Sequence, residues 1–245
     1  MAVWAIVIPA QPCPLPADLV DLVRGRPTRT VWRNELGGLT FEVGVRSSRC
    51  FVKWAPAGSG LDLVAEEARL VWAAPFIRVP EVLGSGHEAN GSWLMTSPVE
   101  GRSAVDPHWV ARPARAVQAI GAGLRLLHDR LPVASCPFSW SVADRLARVT
   151  DPYEARDAPE VDRLVVCHGD PCSPNTIVAD DGSVAGHVDL DALGVADRWA
   201  DLAVATLATQ WNYGPGWEDV LLDAYGIAAD PDRTAYYRWL WDLGG

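Results

Sequence analysis

Residues 165–205 decide the fold, with the sequence VVCHGDPCSPNTIVADDGSVAGHVDLDALGVADRWADLAVA. Short apolar runs at 165–167 and 176–178 are each followed by polar, Gly- and Asp-containing residues, and residues 180–183 read Asp-Asp-Gly-Ser. Apolar runs separated by such residues are typical of strands joined by tight turns. We therefore predict a hairpin whose returning strand covers residues 184–190.

Polar residues stand at the ends of these strands. Asp170 closes a His-Gly-Asp sequence, Asn175 follows five residues later, and Asp189 lies fourteen residues beyond Asn175. Transfer of a γ-phosphoryl group needs a carboxylate that orients the attacking hydroxyl and hard oxygen ligands that hold Mg²⁺. The protein-kinase pattern HRDxxxxN has the same spacing between its Asp and its Asn. The spacing predicts the catalytic core of a small-molecule kinase.

HGDPCSPN followed by VDLDALGVADRWADLAVAT resembles the aminoglycoside phosphotransferase family, most closely its 3'-phosphotransferase branch. The resemblance implies an α+β, two-lobed, protein-kinase-like fold, with an antiparallel sheet plus helix in the N-terminal lobe. It implies a mainly helical C-terminal lobe that contains the catalytic hairpin. Transferred by position, Asp170 is the catalytic aspartate, Asn175 and Asp189 are the metal ligands, and His168 supports the loop.

Two neighbouring segments are informative. Asp197, Arg198 and Asp201 match the family's DRxxDLA segment, which implies a buried helix start with a salt-bridge network. In the family, the metal-binding Asp and the apolar residue after it are usually followed by Gly and Arg. In this chain Asp191 and Ala192 stand at those two positions. A DxD pair occurs in other branches of the superfamily, so we expect the reaction to be retained.

Length and composition fit two lobes within one cooperative domain. The chain has 245 residues, 49% of them hydrophobic, which is enough for a large core. We divide it into a nucleotide-binding part, residues 1–98, and a catalytic and acceptor-binding part, residues 99–245. No apolar run approaches the length of a membrane span. Residues 2–8 are apolar without a preceding basic region, which favours a first strand over a secretion signal.

The five cysteines show no paired spacing and no CxxC, which argues against a disulfide framework or a zinc site. We therefore expect a cytoplasmic protein.

Charge is distributed unevenly along the chain. Residues 1–98 contain nine basic and nine acidic side chains, and residues 99–245 contain twelve and twenty-two, so the second part carries the whole net charge of -10. An acidic surface attracts cations and repels a nucleic-acid backbone. This distribution favours a cationic small molecule as the acceptor and excludes nucleic acid.

Lys53 is the only lysine beside twenty arginines. It lies in the alternating run Cys-Phe-Val-Lys-Trp, similar to the VAIK strand whose lysine contacts the α- and β-phosphates of ATP and pairs with a helix glutamate. A compact ammonium is not replaced by a planar guanidinium in a tight phosphate pocket. We predict that Lys53 binds ATP.

The partner glutamate is expected on a helix over residues 61–74, where Leu63, Leu70, Val71 and Ala74 form an apolar stripe. Glu66 and Glu67 are both candidates. The family's spacing to Trp72 implies that Glu66 faces Lys53.

Two further segments are expected to contact the nucleotide. The turn that contains Gly38 and Thr40 separates two strand-like runs, and its backbone N–H groups are expected to cover the phosphates. Residues 93–101 resemble the hinge that holds adenine, with Met95 at the pocket wall and Thr96, Ser97 and Val99 among the residues supplying contacts. Downstream, residues 112–130 predict a core helix with a stripe of Val117, Ile120, Leu124 and Leu127, and His128 at its end is interpreted as structural.

The acceptor site is implied only by the resemblance. Related 3'-phosphotransferases bind amino groups through acidic residues of a helical insert before the HGD loop, of the helix after DLA, and of the C-terminal tail. Here the first region offers Asp157 and Glu160, among other acids, and the tail offers Asp242. Leu207 and Ala208 stand in the second region, where close relatives often carry Arg and Asp. A charge run before the loop is equally a solvated helix face.

Together these observations predict a Mg²⁺-dependent O-phosphotransferase that uses ATP, or GTP, on a hydroxyl of an aminoglycoside antibiotic, as a resistance enzyme does. Two alternatives stay open: a kinase of choline, homoserine or a sugar on the same fold, and a non-catalytic nucleotide-binding regulator. The sequence does not determine the oligomeric state.

Overall fold

A computed structural model describes residues 13–243, so the strand predicted at residues 2–8 lies outside the described part. The chain divides into two compact units. Within the described residues, one unit comprises 13–74 together with 80–98, and the other comprises 75–79 together with 99–243. Residues 75–79 therefore group with the second unit, whereas the division predicted at residue 98 placed them in the first part.

The first unit is built on an antiparallel sheet, as predicted. Within the described residues its five strands are β1 Thr28–Arg33, β2 Leu39–Val43, β3 Cys50–Pro56, β4 Val82–Glu88 and β5 Gly91–Thr96, in the order β1-β2-β3-β5-β4. Phe41, Val43 and Val52 alternate along β2 and β3 and are buried against Leu19 and the short helix α1, Val20–Val23. The period of two along these strands turns one face of the sheet toward this core.

The helix of the first unit, α2, spans Leu63–Ala73, and the Asp62 carboxylate caps it by accepting the Ala65 N–H at 2.9 Å. Its buried face consists of Glu66, Leu70 and Ala73. The predicted apolar stripe was therefore wrong at Val71, which is 59% exposed, and at Ala74, which is exposed and follows the end of the helix. Successive helical residues are rotated by about 100°, so burying Glu66 with Leu70 and Ala73 turns Val71 outward.

The second unit is mainly helical. Its helices are α3 Pro107–Val110, α4 Pro113–Arg130, α5 Val142–Leu146, α6 Trp199–Tyr213, α7 Glu218–Tyr225 and α8 Pro231–Leu243. Its strands are β6 Arg102–Ser103, β7 Leu164–Cys167, β8 Thr176–Val178, β9 Val184–His187 and β10 Gly194–Asp197. The four residues of the predicted stripe of α4 are buried, and the helix contacts α6 and α7, which confirms the core helix.

The predicted hairpin is formed by β8 and β9, but its second strand is shorter than expected. β9 ends at His187: the Val188 N–H still donates to the Asn175 carbonyl at 3.0 Å, but Asp189 has a φ of 65°, in the left-handed region, which does not continue a strand. Asp189 therefore lies in the loop beyond the strand. β7 pairs with β10, not with the hairpin.

Residues 151–163, which precede β7, form neither helix nor strand. The helical insert that the family resemblance implied at this place is therefore absent from these residues. In the part of the chain from 13 to 243, none of the helices has the length and apolarity needed to cross a membrane.

Candidate active site

One buried carboxylate holds the His-Gly-Asp loop. Asp201, near the start of α6, accepts the His168 N–H at 2.7 Å through Oδ2 and the Gly169 N–H at 2.9 Å through Oδ1. His128 of α4 donates its Nε2–H to the same Oδ2 at 2.9 Å, and its Nδ1 lies 2.8 Å from the Tyr225 hydroxyl. These contacts agree with the structural interpretation of His128 and Asp201.

The electrostatics of Asp201 favour its ionised form. Burial alone raises the pKa of this carboxyl, but the hydrogen bond and charge of His128, aided by the Gly169 N–H, outweigh burial and lower the pKa. A fully buried carboxylate without such donors is costly. Asp201 is thus an ionised anchor that depends on all its donors.

His128, Cys167 and Asp201 place potential metal-ligating atoms within 4.8 Å of one another. His128 and Asp201 are hydrogen-bonded to each other, and the Cys167 thiol lies 3.4 Å from the Asp197 carbonyl oxygen, which accepts its hydrogen bond. Burial also raises the pKa of the Cys167 thiol well above its ordinary value, so it stays protonated. A metal requires the thiolate, so we interpret His128 and Asp201 as a hydrogen-bonded support of the loop and Cys167 as a buried thiol bonded to Asp197.

Close packing leaves no room for a side chain at Gly169. It has a φ of 87°, and a Cβ at this position meets the Ala192 carbonyl oxygen at 2.2 Å. The backbone of Ala192, where the family usually carries Arg, therefore lies directly against the loop.

Asp170 and Asn175 are in direct contact. The Asn175 side-chain amide donates to the Asp170 main-chain carbonyl at 2.9 Å and to Asp170 Oδ2 at 3.3 Å. Because these two acceptors fix the Nδ2 position, the amide oxygen Oδ1 points away from them. Among residues 13–243, the buried Oδ1 of Asp170 finds no hydrogen-bond partner. A buried oxygen of this kind needs a ligand or water to satisfy it.

The pKa of Asp170 is raised from its ordinary value. Burial is the largest cause and the nearby charge of Asp189 adds to it, while a hydrogen bond from the Cys172 thiol acts in the opposite direction. Burial and the Asp170 charge raise the pKa of Cys172 well above the usual range, so it remains a thiol donor. Nothing in the local sequence around Cys172 indicates this role.

Asp189 lies half-buried beyond β9 in a left-handed conformation. A non-glycine residue in this region stores strain, which is common where side chains are aimed at ligands. Its carboxylate is near enough to Asp170 for its charge to act on that group. The structure therefore brings together the three residues that the loop sequence predicted.

The first unit positions Lys53 and Glu66. Lys53 Nζ lies 2.6 Å from Glu66 Oε1, and the side chains are 25% and 4% exposed. Lys53 lies opposite Thr40 across the β2–β3 pair. Of the two candidate glutamates, Glu66 is the one that pairs with the lysine.

The turn before β2 is a compact hairpin turn. The Gly38 N–H donates to Asn34 Oδ1 at 2.7 Å and the Gly37 N–H donates to the Asn34 carbonyl at 3.2 Å. Phosphate contacts from these two N–H groups require the turn to open, because each is already used. Cover of the phosphates by this turn stays a prediction.

Residues 95–99 follow the course expected of a strand that runs into a linker. Met95 and Thr96 end β5, with Met95 against the core of the first unit. The Ser97 N–H donates to the Glu81 carbonyl at 2.8 Å, and the Ser97 hydroxyl accepts the Glu81 N–H at 2.9 Å. Val99 belongs to the second unit. Adenine contacts from these residues stay a prediction.

The three predicted acceptor residues are exposed: Asp157 and Glu160 belong to the segment before β7, and Asp242 lies near the end of α8. The Glu160 carbonyl accepts a hydrogen bond from Arg233, at the start of the helix, at 2.9 Å, and the charge of Asp157 acts on Tyr236. Asp242 lies at the other end. At 1.5 Å per residue, Arg233 and Asp242 are about 13 Å apart along the helix axis. Glu160 and Asp242 therefore do not form one cluster.

Comparison with known proteins gives consistent results. Residues 141–238 match the phosphotransferase enzyme family APH. The chain is 33% identical over 219 residues to an aminoglycoside 3'-phosphotransferase of Streptomyces fradiae, covering 76% of this chain and 81% of that protein. It is 31% identical over 231 residues to a streptomycin 3''-kinase of Streptomyces griseus, covering 78% and 83%.

Among solved structures, aminoglycoside phosphotransferase APH(3'')-Id of Streptomyces rimosus matches with a TM-score of 0.72 and 31% identity, over 92% of this chain and 96% of that chain. A second structure of that protein contains ADP and streptomycin and matches with a TM-score of 0.67 and 32% identity, over 84% and 90%. The predicted α+β, kinase-like fold is confirmed by these similarities.

Proposed function

The chain belongs to the aminoglycoside phosphotransferase family, and from this premise we propose that it transfers the γ-phosphoryl group of ATP to a hydroxyl of an aminoglycoside. The observation that carries the proposal is the contact of Asp170 with Asn175, with Asp189 beside them. Asp170 orients the acceptor hydroxyl and receives its proton. Its raised pKa makes it a better proton acceptor than an exposed aspartate.

The residues present fit a Mg²⁺ ion. Asn175 uses its amide nitrogen toward Asp170 and so leaves its oxygen for a metal, and Asp189 offers a carboxylate. Carboxylate and amide oxygens are the hard ligands that Mg²⁺ prefers. When bound, Mg²⁺ supplies charge neutralisation to the phosphate oxygens. Asn175 and Asp189 hold it in this proposal.

The donor is ATP, with GTP as the alternative nucleotide. Glu66, buried and 2.6 Å from the ammonium, fixes the position of Lys53 at the α- and β-phosphates. The related structure that contains ADP supports an adenine nucleotide. Gly38 and Thr40, and the segment of Met95, Thr96, Ser97 and Val99, complete the proposed nucleotide contacts.

The acceptor class rests on the activities for which the relatives are named and on charge. The relatives named above are a 3'-phosphotransferase and a streptomycin 3''-kinase. The acidic second part of the chain suits a polycation. We propose that Asp157, Glu160 and Asp242 bind amino groups of the acceptor. Asp242 contacts a different part of the acceptor from Glu160.

A coupled ADP-release screen tests this proposal. Aminoglycosides of the kanamycin and neomycin type, streptomycin, macrolides, choline, homoserine and neutral sugars are compared at equal concentration, with ATP and then GTP. The proposal requires the highest kcat/KM on an aminoglycoside. A preference for choline, homoserine or a sugar supports the metabolite-kinase alternative. Nucleotide binding without turnover on any acceptor supports the non-catalytic regulator.

Replacing Lys53 with Arg is expected to raise the KM for ATP and lower kcat at least tenfold although the charge is kept. The guanidinium is broader than the ammonium and cannot keep the same contact with Glu66 and the phosphates. Steady-state kinetics with varied ATP measure the effect. Arg29→Lys, at a cationic side chain that is 71% exposed in the same sheet, serves as control and is expected to leave both constants unchanged. Wild-type constants for Lys53→Arg contradict a phosphate role.

Raising the salt concentration is expected to weaken acceptor binding much more than ATP binding. Between 0.05 and 0.5 M salt the Debye length falls from about 14 to about 4 Å, which screens exposed carboxylates from a polycation. Asp242→Asn, and Asp157→Asn with Glu160→Gln, are expected to raise the acceptor KM more than they lower kcat. Asp180→Asn, at a side chain 84% exposed in the β8–β9 turn, is the control. An acceptor KM that is insensitive to salt argues against a polycationic substrate.

A further inference from the structure

Helix α6 holds the catalytic loop, residues 168–176, at both ends. At the start of the helix Asp201 accepts two N–H groups from the beginning of the loop. Tyr213, the last residue of the helix, donates its hydroxyl hydrogen to the Ala104 carbonyl at 2.8 Å. The Ala104 N–H in turn donates to the Thr176 carbonyl at 2.9 Å, at the end of the loop. One helix therefore contacts the beginning of the loop directly and its end through Ala104.

Ser103 and Ala104 hold the chain on both sides of Asn175. The Ser103 hydroxyl donates to the Pro174 carbonyl at 2.9 Å, and the Ala104 N–H donates to the Thr176 carbonyl. The Pro174 carbonyl belongs to the planar peptide group that leads into Asn175, so its hydrogen bond restricts the rotation of that group. Asn175 is itself buried. Its backbone position is therefore set from both sides by two consecutive residues of another segment.

The Tyr213 side chain connects the core of the second unit with this arrangement. Its ring packs against the core, and α6 contacts the turn Ser173–Asn175. Burial raises the pKa of the Tyr213 hydroxyl, with the Ser173 hydroxyl acting in the opposite direction, so Tyr213 stays protonated at neutral pH. Apolar packing needs only the ring, whereas a hydroxyl removed from water needs a partner. The Ala104 carbonyl is such a partner.

We propose that Tyr213 and Ser103 are positioning residues for Asn175 as a ligand of Mg²⁺, an inference that rests on the proposed function. Asn175 has two tasks there: its amide nitrogen donates to Asp170, and its amide oxygen holds the metal. A displaced backbone at residue 175 disturbs both. Mg²⁺ demands near-ideal octahedral geometry, so its affinity responds to small displacements of a ligand. Removing an outer contact that orients a ligand typically costs about 10- to 100-fold in metal affinity or activity.

Tyr213→Phe is the main test, because it removes the hydroxyl and keeps the ring. ADP affinity is measured by isothermal titration calorimetry in excess Mg²⁺ and in EDTA, and the ratio of the two dissociation constants gives the gain due to the metal. We expect Tyr213→Phe to reduce this gain about tenfold, with the dissociation constant in EDTA changed by about twofold at most. Its kcat is expected to fall at limiting Mg²⁺ and to recover in part when Mg²⁺ is raised.

Ser103→Ala is expected to have the same effect, whereas Ser103→Thr, which keeps a hydroxyl, is expected to retain most of the gain. Two controls remove hydroxyls elsewhere in the second unit: Tyr153→Phe, at an exposed tyrosine before β7, and Ser183→Ala, in the β8–β9 turn. Both are expected to match the wild type. A merely structural role lowers the melting temperature of Tyr213→Phe and leaves the gain unchanged, which overturns the inference.

The outcomes also separate this inference from the proposed function. If Mg²⁺ increases the ADP affinity of the wild type but no acceptor is phosphorylated, the proposed function is overturned, and the Tyr213 and Ser103 variants still decide the positioning of Asn175. If Mg²⁺ gives the wild type no gain in ADP affinity, the inference is overturned, and the acceptor screen decides the function. If Tyr213→Phe does not fold, the Ser103 variants decide: a reduced gain for Ser103→Ala alone supports the inference, and equal gains for Ser103→Ala and Ser103→Thr refute it.

Discussion

Asp170→Asn is expected to lower kcat by a hundredfold or more, the scale of a positioned acid–base group. The amide keeps the shape of the carboxylate but cannot receive the hydroxyl proton. The KM for ATP is expected to stay within about twofold, since Asp170 is assigned to the acceptor hydroxyl. Steady-state kinetics with the best acceptor from the screen measure both constants.

The same substitution is expected to raise the melting temperature in the absence of Mg²⁺ and nucleotide. Because the folded-state pKa of Asp170 is raised, the unfolded chain ionises more readily, so the ionised group reduces stability as the pH rises above its unfolded pKa. At neutral pH the neutral amide removes this penalty. Scanning calorimetry at pH 7 and at pH 4 is expected to show a larger gain at pH 7.

Asp180→Asn, at a side chain 84% exposed in the β8–β9 turn, is the control. It is expected to leave kcat and the melting temperature near wild-type values. A folded Asp170→Asn enzyme with more than a tenth of wild-type kcat removes Asp170 from the catalytic role. A lowered melting temperature with lost activity indicates a structural role instead.

Asp201→Asn is expected to reduce the free energy of unfolding by about 3–5 kcal/mol, the cost of breaking a buried ionic network by changing one partner. Both carboxylate oxygens of Asp201 accept hydrogen bonds: Oδ2 from His168 and His128, and Oδ1 from Gly169. An asparagine in either orientation turns its NH₂ group toward at least one N–H. The misplaced loop is also expected to lose most of its activity.

Urea unfolding at several pH values tests this prediction. The pKa of Asp201 is lowered in the folded state, so its stabilisation is present above the unfolded pKa and disappears as the pH falls through the folded pKa. The difference in stability between wild type and Asp201→Asn is therefore expected to shrink toward acid pH. Asp223→Asn, exposed on α7, is the control. A loss below 1 kcal/mol at pH 7 shows that the loop does not depend on this anchor.

Local features of the fold were predictable from the sequence, whereas features set by distant elements were not. The loop from His168 to Asn175 was predictable because its residues are covalently close and few backbone paths are open to them. The core face of α4 was predictable because a long helix shows its buried side as a period of 3.6 residues. The exposed Val71 and the end of β9 at His187 were mispredicted, because neighbouring elements set the rotation of one and the left-handed Asp189 ends the other.

The sequence by itself determined the chemistry of the loop through the order of Asp170, Asn175 and Asp189. It also singled out Lys53, the one lysine of the chain. Only the tertiary structure decided that Asp201 holds the loop together with His128. These contacts join residues from 32 to 73 positions apart. Short spacings are fixed by chain geometry, whereas distant residues meet only when packing of the whole core repays the entropy of closing long loops.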